Sequence, residues 1–302
     1  MNTLKRRALL QGLAASGLLA GLANSPARAQ PAASTSPPPR PLTPPGEGSI
    51  PVAFVISDGA VVIDFCGPWE VFQDAYIANR RDAPFRLYTV AASTRPIEAS
   101  GGMKITPDYD FGNAPAPKII VIPAQQGASE AMMEWIRRSS KGADLTMAVC
   151  TGAFVLAKTG LLAGKSATTH HSSYKTLAMD YPDISVKRGA RFVEDGNLAT
   201  AGGLSSGIDL ALRVVERYFG RDLAQKTAYY MEYQGQGWLN QDSNSIYRQE
   251  LVSTEAKPLC AVCGMDIDPA AAPKSVFNAK TYYFCMAAHK ERFDSAPASF
   301  AS

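Results

Sequence analysis

Charge of one sign is scarce in this chain of 302 residues: 30 Lys and Arg stand against 27 Asp and Glu, a net charge of +3. No basic stripe concentrates that small excess, so the electrostatic footprint of a nucleic-acid partner is absent. Beyond the first thirty residues there is no long hydrophobic run, which excludes stable membrane insertion of the mature chain and predicts a soluble protein. Internal repeats are also lacking. What is present, 46% hydrophobic and 19% charged residues, is the balance of a globular protein. The length suffices for more than one small domain.

Residues 1–29, "MNTLKRRALLQGLAASGLLAGLANSPARA", begin basic, continue through a Gly- and Ala-rich apolar stretch and end on a small-x-small site before Gln30. That is the layout of a cleaved leader. Arg6 and Arg7 directly precede the apolar stretch, which resembles a twin-arginine export signal. An ordinary secretory leader and a single membrane anchor are the other readings, and the short, glycine-rich segment makes a poor span. The expectation is a periplasmic protein. Residues 30–48, "QPAASTSPPPRPLTPPGEG", hold nothing that builds a core and read as an extended, disordered linker.

The following two hundred residues, 49–250, alternate strand-like and helix-like segments. "PVAFVIS", "FRLYTVAA", "PKIIVIPA" and "ADLTMAVC" are apolar runs with the character of buried strands. After "AVVIDFC" the Gly67-Pro68 pair, followed by Glu70, suits a helix start. "SEAMMEWIRRSSK" and "TGAFVLAKTGLL" read as helices, the second closed by Gly160 or Gly164. A hairpin is expected around Asp195-Gly196. "SSGIDLALRVVERYFG" reads as a long amphipathic helix stopped by Gly220. The alternation predicts an α/β three-layer sandwich on a mostly parallel sheet, with ligands at the carboxyl ends of the strands.

Cys150 stands at such an end, between a strand and a helix, with Thr151-Gly152 supplying the small neighbours of a nucleophile elbow. A thiol there faces the unpaired N–H groups of a helix N-terminus, which is expected to lower its pKa below the free value. Read alone, Cys150 remains open between a buried small hydrophobe and a nucleophile. Asp64 read alone is a cap between strand and helix. Cys66 reads as a small hydrophobe, with a disulfide to Cys150 as the alternative in an oxidising compartment.

Three segments bear on that choice. "VVIDFCGPWEVF", "AVCTGAFVLAKTGLLAGKSATTHH" and "VEDGNLATAGGLSSGIDLALRVVE" resemble the signature stretches of the ThiJ/PfpI superfamily, in its isonitrile hydratase-like branch. The resemblance implies a flavodoxin-like, glutamine amidotransferase-like fold, often dimeric, with no cofactor in the catalytic domain. It implies a site of Cys150 as nucleophile, Asp64 as proton carrier and Thr151 as orienting group, acting on a small electrophile. Gln125, Gly127, His170 and Gly203 then line the substrate wall. The non-catalytic alternative is the ligand-sensing or metal-handling use of the same scaffold. "IPAQQG" replaces the glycine pair usual in that loop, which implies a differently shaped pocket.

From residue 254 to 302 the character changes. Cys260 and Cys263 form a Cys-x-x-Cys pair, and Cys285 and His289 form a Cys-x-x-x-His pair on a short helix. Two such pairs separated by a loop are the pattern of a four-ligand metal site, and a segment this small needs a staple. Soft thiolates suit one Zn or Cu ion. A disulfide is the competing reading, although three cysteines cannot all pair among themselves. The tail resembles a YHS or TRASH-like module, which implies a treble-clef-like metal-binding domain.

Overall fold

The computed structural model describes residues 39, 41–249 and 252–301. The segment read as a twin-arginine leader, 1–29, and the linker residues 30–38 and 40 lie outside the described residues. Within the stretch read as a loose linker, the Leu42 N–H donates to the Arg217 carbonyl at 2.8 Å, and the Leu42 side chain packs on the core. That part of the linker is therefore seated on the domain, because it carries one apolar side chain with a place to bury it.

In chain order the first half folds as β1 (Ile50–Val55), α1 (Val62–Asp74), β2 (Phe85–Ala91), β3 (Ile97–Glu98), β4 (Lys104–Ile105), β5 (Tyr109–Asp110), β6 (Ile119–Ile122) and α2 (Glu130–Ser140). Then come β7 (Leu145–Val149), α3 (Gly152–Lys158), β8 (Ser166–Ala167), α4 (Tyr174–Asp180), β9 (Ser185–Val186), β10 (Phe192–Asp195), β11 (Leu198–Ala201), α5 (Ser206–Phe219) and α6 (Arg221–Tyr230). A seven-stranded sheet in the order β10-β11-β7-β6-β1-β2-β5 forms the middle layer. Every pairing in it is parallel except the β10–β11 hairpin.

Parallel strands need apolar cover on both faces. Val52 and Phe54 face one core, with α1, α5 and α6. Ala53 and Val55 face the other, with α2, α3 and α4. The three-layer α/β sandwich read from the alternation is the observed fold.

Helix α1 corrects one boundary. It begins at Val62, and Pro68 lies inside it, whereas Gly67-Pro68 reads as its start. A Cβ on Gly67 would sit 2.9 Å from Ile208 Cγ1, and one on Gly207 would meet Val149 and Pro68 at 3.0–3.3 Å. The two glycines let α1 and α5 pack closely, and that tertiary contact outweighs the local signal of the proline. The earlier start also moves Asp64 from a strand end into the first turn of α1.

The tail adds a bridge between Leu259 and Asp266, the hairpin β12 (Lys274–Phe277) and β13 (Lys280–Tyr283), and helix α7 (Ala287–Ser295). Knuckle, hairpin and helix follow the treble-clef order. Its small core of Val262, Phe284, Phe293 and Phe300 takes in Met179 of α4, and the Arg292 guanidinium pairs with the Asp180 carboxylate.

Gly152 opens α3 against the end of β6. A Cβ there would stand 2.3 Å from the Ile122 carbonyl oxygen and 2.8 Å from Pro123 backbone atoms, and backbone does not yield cheaply. Gly152→Ala is expected to cost at least about 2 kcal/mol, read by chemical denaturation; wild-type stability would contradict this packing.

Candidate active site and metal cluster

Strand β7 delivers Cys150 to the elbow with φ 59°, a conformation that a non-glycine residue holds only when its surroundings impose it. They do so on several sides. The Cys150 N–H lies 3.0 Å from the Gly202 carbonyl and 3.2 Å from that of Ala201. Its own carbonyl accepts the Thr169 hydroxyl at 2.9 Å. Leu204, in the turn after β11, is also left-handed at φ 47°. The backbone N–H groups of Thr151 and Leu204 and the Thr151 hydroxyl all act on the Cys150 sulfur.

The thiol is nevertheless 8% exposed. Burial pushes it up to about 11, the Asp64 charge adds to the rise, and the surrounding donors only moderate it. This corrects the expected lowering. Helix α3 has seven residues, and desolvation outweighs what its N-terminus contributes.

Asp64 is fully buried. Its Oδ2 accepts the Ala124 N–H at 3.1 Å, while Oδ1 has no hydrogen-bond partner among the described residues. Burial raises the carboxyl from 3.8 to about 6, against the pull of the Ala124 N–H and of the Cys150 thiol. The thiol is thus close enough to stabilise the carboxylate but is not aligned as a full hydrogen bond. At neutral pH the pair carries one negative charge, on Asp64, with the proton on sulfur. A carboxylate oxygen left unpartnered beside a protonated thiol is placed to take that proton as the sulfur attacks.

The other residues on the sequence-derived wall divide. His170 and Gly203 are brought to the elbow: a Cβ on Gly203 would stand 2.3 Å from His170 Cδ2, so glycine admits the ring beside the turn at 202–204. The His170 Nδ1 pairs with the Ser172 hydroxyl at 2.8 Å, and burial followed by His171 lowers its pKa. It is neutral and otherwise engaged, which fits a wall and not a base. Gln125 is held away, its amide tied to the Val55 carbonyl at 3.0 Å and to the Ser57 hydroxyl at 2.8 Å. Gly127 is exposed at φ 70° with open space around its Cβ position. Both shape the loop, and the loop's contribution to the pair is the Ala124 N–H. Cys66 and Cys150 are both free thiols.

Cys260, Cys263, Cys285 and His289 converge, their ligand atoms all within 4.8 Å of one another. Cys263 and Cys285 sulfurs are 3.7 Å apart, and His289 Nδ1 lies 3.2 Å from Cys285 and 3.5 Å from Cys260. The edges of a tetrahedron around zinc with thiolate ligands are about 3.8 Å, so the donor set fits such an ion. Cys260 is held well below the usual thiol range by the hydrogen bond from Cys263, and Cys263 is driven up by donating it.

Residues 51–217, from β1 into the last turn of α5, match the DJ-1/PfpI family. The chain belongs to that family. The isonitrile hydratase of Pseudomonas putida is 32% identical over 190 residues, covering 61% of this chain and 79% of that enzyme. The DJ-1/PfpI relatives also include the HTH-type transcriptional regulator CdhR of Pseudomonas aeruginosa, 27% identical over 176 residues, 57% of this chain and 51% of the regulator. Among solved structures, a ThiJ/PfpI family protein from Pseudomonas syringae superposes with a TM-score of 0.56 at 25% identity, covering 63% of this chain and 77% of that one. The family match covers the elbow, Asp64 and His170 but neither the segment after Phe219 nor the cysteine cluster.

Four contributors escape sequence reading. Leu204 acts through its backbone, and no side-chain signal marks it. Arg191 is ion-paired with the fully buried Asp209 at 2.5 Å, while Asn244 and Tyr247 come from an irregular segment without periodicity. Asp209 alone was visible, within the "GIDLAL" signature.

The raised Asp64 pKa has a sign for stability. Native Asp64 prefers to stay neutral, so it contributes fully below the unfolded value of 3.8 and that contribution is lost as pH rises towards about 6. Asp64→Asn is therefore expected to gain on wild type by up to about 3 kcal/mol between pH 4 and pH 7. Denaturation curves across that range check it; a pH-independent difference would contradict the burial of an ionising group.

Proposed function

We propose that this chain is a cysteine-dependent hydratase that adds water to a small electrophile of the isonitrile class, exported to the periplasm by its twin-arginine leader. The observation that carries the reading is the strained Cys150 thiol beside the buried, half-unpartnered Asp64 carboxylate. The Cys150 sulfur bonds to the terminal isonitrile carbon while Asp64 takes the thiol proton and returns it to that carbon, giving a thioimidate. Water adds to the same carbon, with Asp64 accepting one of its protons and passing it to the imine nitrogen. The carbon–sulfur bond then breaks as the hydroxyl proton of the adduct moves to Cys150, and an N-substituted formamide leaves. The N–H groups of Thr151 and Leu204, which act on sulfur at rest, stabilise negative charge as it develops there.

The burial of the thiol supports a second reading, a binding protein in which the same pocket senses a ligand without turnover. The relatedness to regulators is in keeping with it. The two are separated by incubating the intact protein with n-butyl isonitrile and following the formamide. Turnover is expected, with kcat/KM falling about tenfold per pH unit below pH 6 and level above it. Cys150→Ala and Asp64→Asn should each lose at least about 10³-fold. Absence of formamide, or equal turnover in Cys150→Ala, would remove the hydratase reading.

In the tail, Cys260, Cys263, Cys285 and His289 hold one ion, zinc or copper, which supplies a cross-link that the small core lacks. Protein purified without chelators is expected to carry about one metal per chain. Cys263→Ser should lower that content and expose the tail to proteolysis, whereas a metal-free tail with a Cys260–Cys263 disulfide would overturn the assignment.

A further inference from the structure

Beyond the family match, residues 231–249 run back over the elbow as an irregular strap. Its anchor is Asp209 of α5, fully buried, which accepts the Tyr233 hydroxyl at 3.0 Å, the Trp238 N–H at 2.9 Å and the Arg191 guanidinium at 2.6 Å. Gly237 is forced by this, since a Cβ there would stand 2.7 Å from the Asp209 carboxyl. Arg191 passes the anchor on, donating to Asn244 Oδ1 at 3.2 Å and to the Ser205 hydroxyl at 3.1 Å.

The strap then touches the elbow turn at two places. Asn244 Nδ2 lies 2.8 Å from where a Cβ on Gly202 would be, and the Gly202 carbonyl holds the Cys150 N–H. Three residues on, the Tyr247 ring stacks on His171 at 4.5 Å and 16°, and His171 in turn meets His170 at 4.3 Å. His170 is the ring pressed on Gly203. The three rings thus end on Gly203, inside the turn whose Gly202 carbonyl accepts the Cys150 N–H and whose Leu204 is left-handed.

We propose that Tyr247 is a positioning residue for the Cys150 site, acting through His171, His170 and Gly203 to hold the turn at 202–204, whose Gly202 carbonyl accepts the Cys150 N–H. The inference deepens the hydratase reading by adding a residue to its site, and it rests on that reading only for its effect on turnover. Its physical content concerns the thiolate alone. Without the brace the turn at 202–204 relaxes, its hold on the strained Cys150 backbone loosens, and the thiolate becomes harder to form. Tyr247 is itself 40% exposed, so truncating it leaves the core intact.

The test uses the intact chain and iodoacetamide, with modification of the Cys150 peptide followed by mass spectrometry as a function of pH. Tyr247→Ala is expected to shift the alkylation profile upward by about one pH unit, slowing Cys150 modification about tenfold at pH 8, with an unchanged melting temperature. Tyr247→Phe keeps the ring and is expected to restore the wild-type profile. A wild-type profile in Tyr247→Ala, or a Tyr247→Phe variant as impaired as Tyr247→Ala, would overturn the proposal. Alkylation needs no substrate, so a protein that fails to hydrate n-butyl isonitrile but shows the shift retains the positioning role and loses only the hydratase reading.

Discussion

Everything at the elbow depends on one buried negative charge shared in effect between two groups. Asp64 and Cys150 lie in a site that excludes water: burial makes ionisation of each harder, the Asp64 charge adds to the cost at the thiol, and the thiol eases ionisation of Asp64. Two charges there would be prohibitive, and the geometry supports one, on the carboxylate. The surrounding N–H groups do not create a resting thiolate. They wait around the sulfur for charge that appears only as it reacts, which is where preorganised donors act most effectively. In the proposed hydratase this gives Asp64 the part of the base.

The scaffold serves that arrangement by close backbone approach. Gly152 lets α3 start against β6, Gly203 admits His170 to the elbow, and Gly207 lets α5 meet β7 and α1. None of these positions has room for a methyl group without displacement of neighbours. The strained φ of Cys150 and of Leu204 is paid for by this packing, as expected where strain is concentrated at a functional site.

Much of this was legible in the sequence. The alternation of apolar runs with amphipathic stretches is a direct consequence of a sheet covered on both faces, so the layers follow from pattern alone. Cys150 with its small neighbours marked the elbow, and the Cys-x-x-Cys and Cys-x-x-x-His spacings marked the four converging ligands. What escaped is what depends on tertiary context. The start of α1 is set by contact with α5, against the local preference of Gly67-Pro68. The thiol pKa is set by burial, which spacing cannot report. Gln125 faces Ser57 and Val55 because of how its loop folds back, and Leu204 contributes an N–H that any residue would carry.

The tail stands apart in sequence yet is joined to the sandwich through Met179 and the Arg292–Asp180 pair, at the far end of the helix that begins beside His170 and His171. The central claim, however, lies at the elbow and concerns one proton. Infrared difference spectra of wild type against Cys150→Ala and of wild type against Asp64→Asn at pH 8 locate it directly. The account predicts an S–H stretch that disappears with Cys150 and a carboxylate, not a carboxylic acid, that disappears with Asp64. A protonated Asp64 carbonyl band with no S–H signal from Cys150 would contradict it.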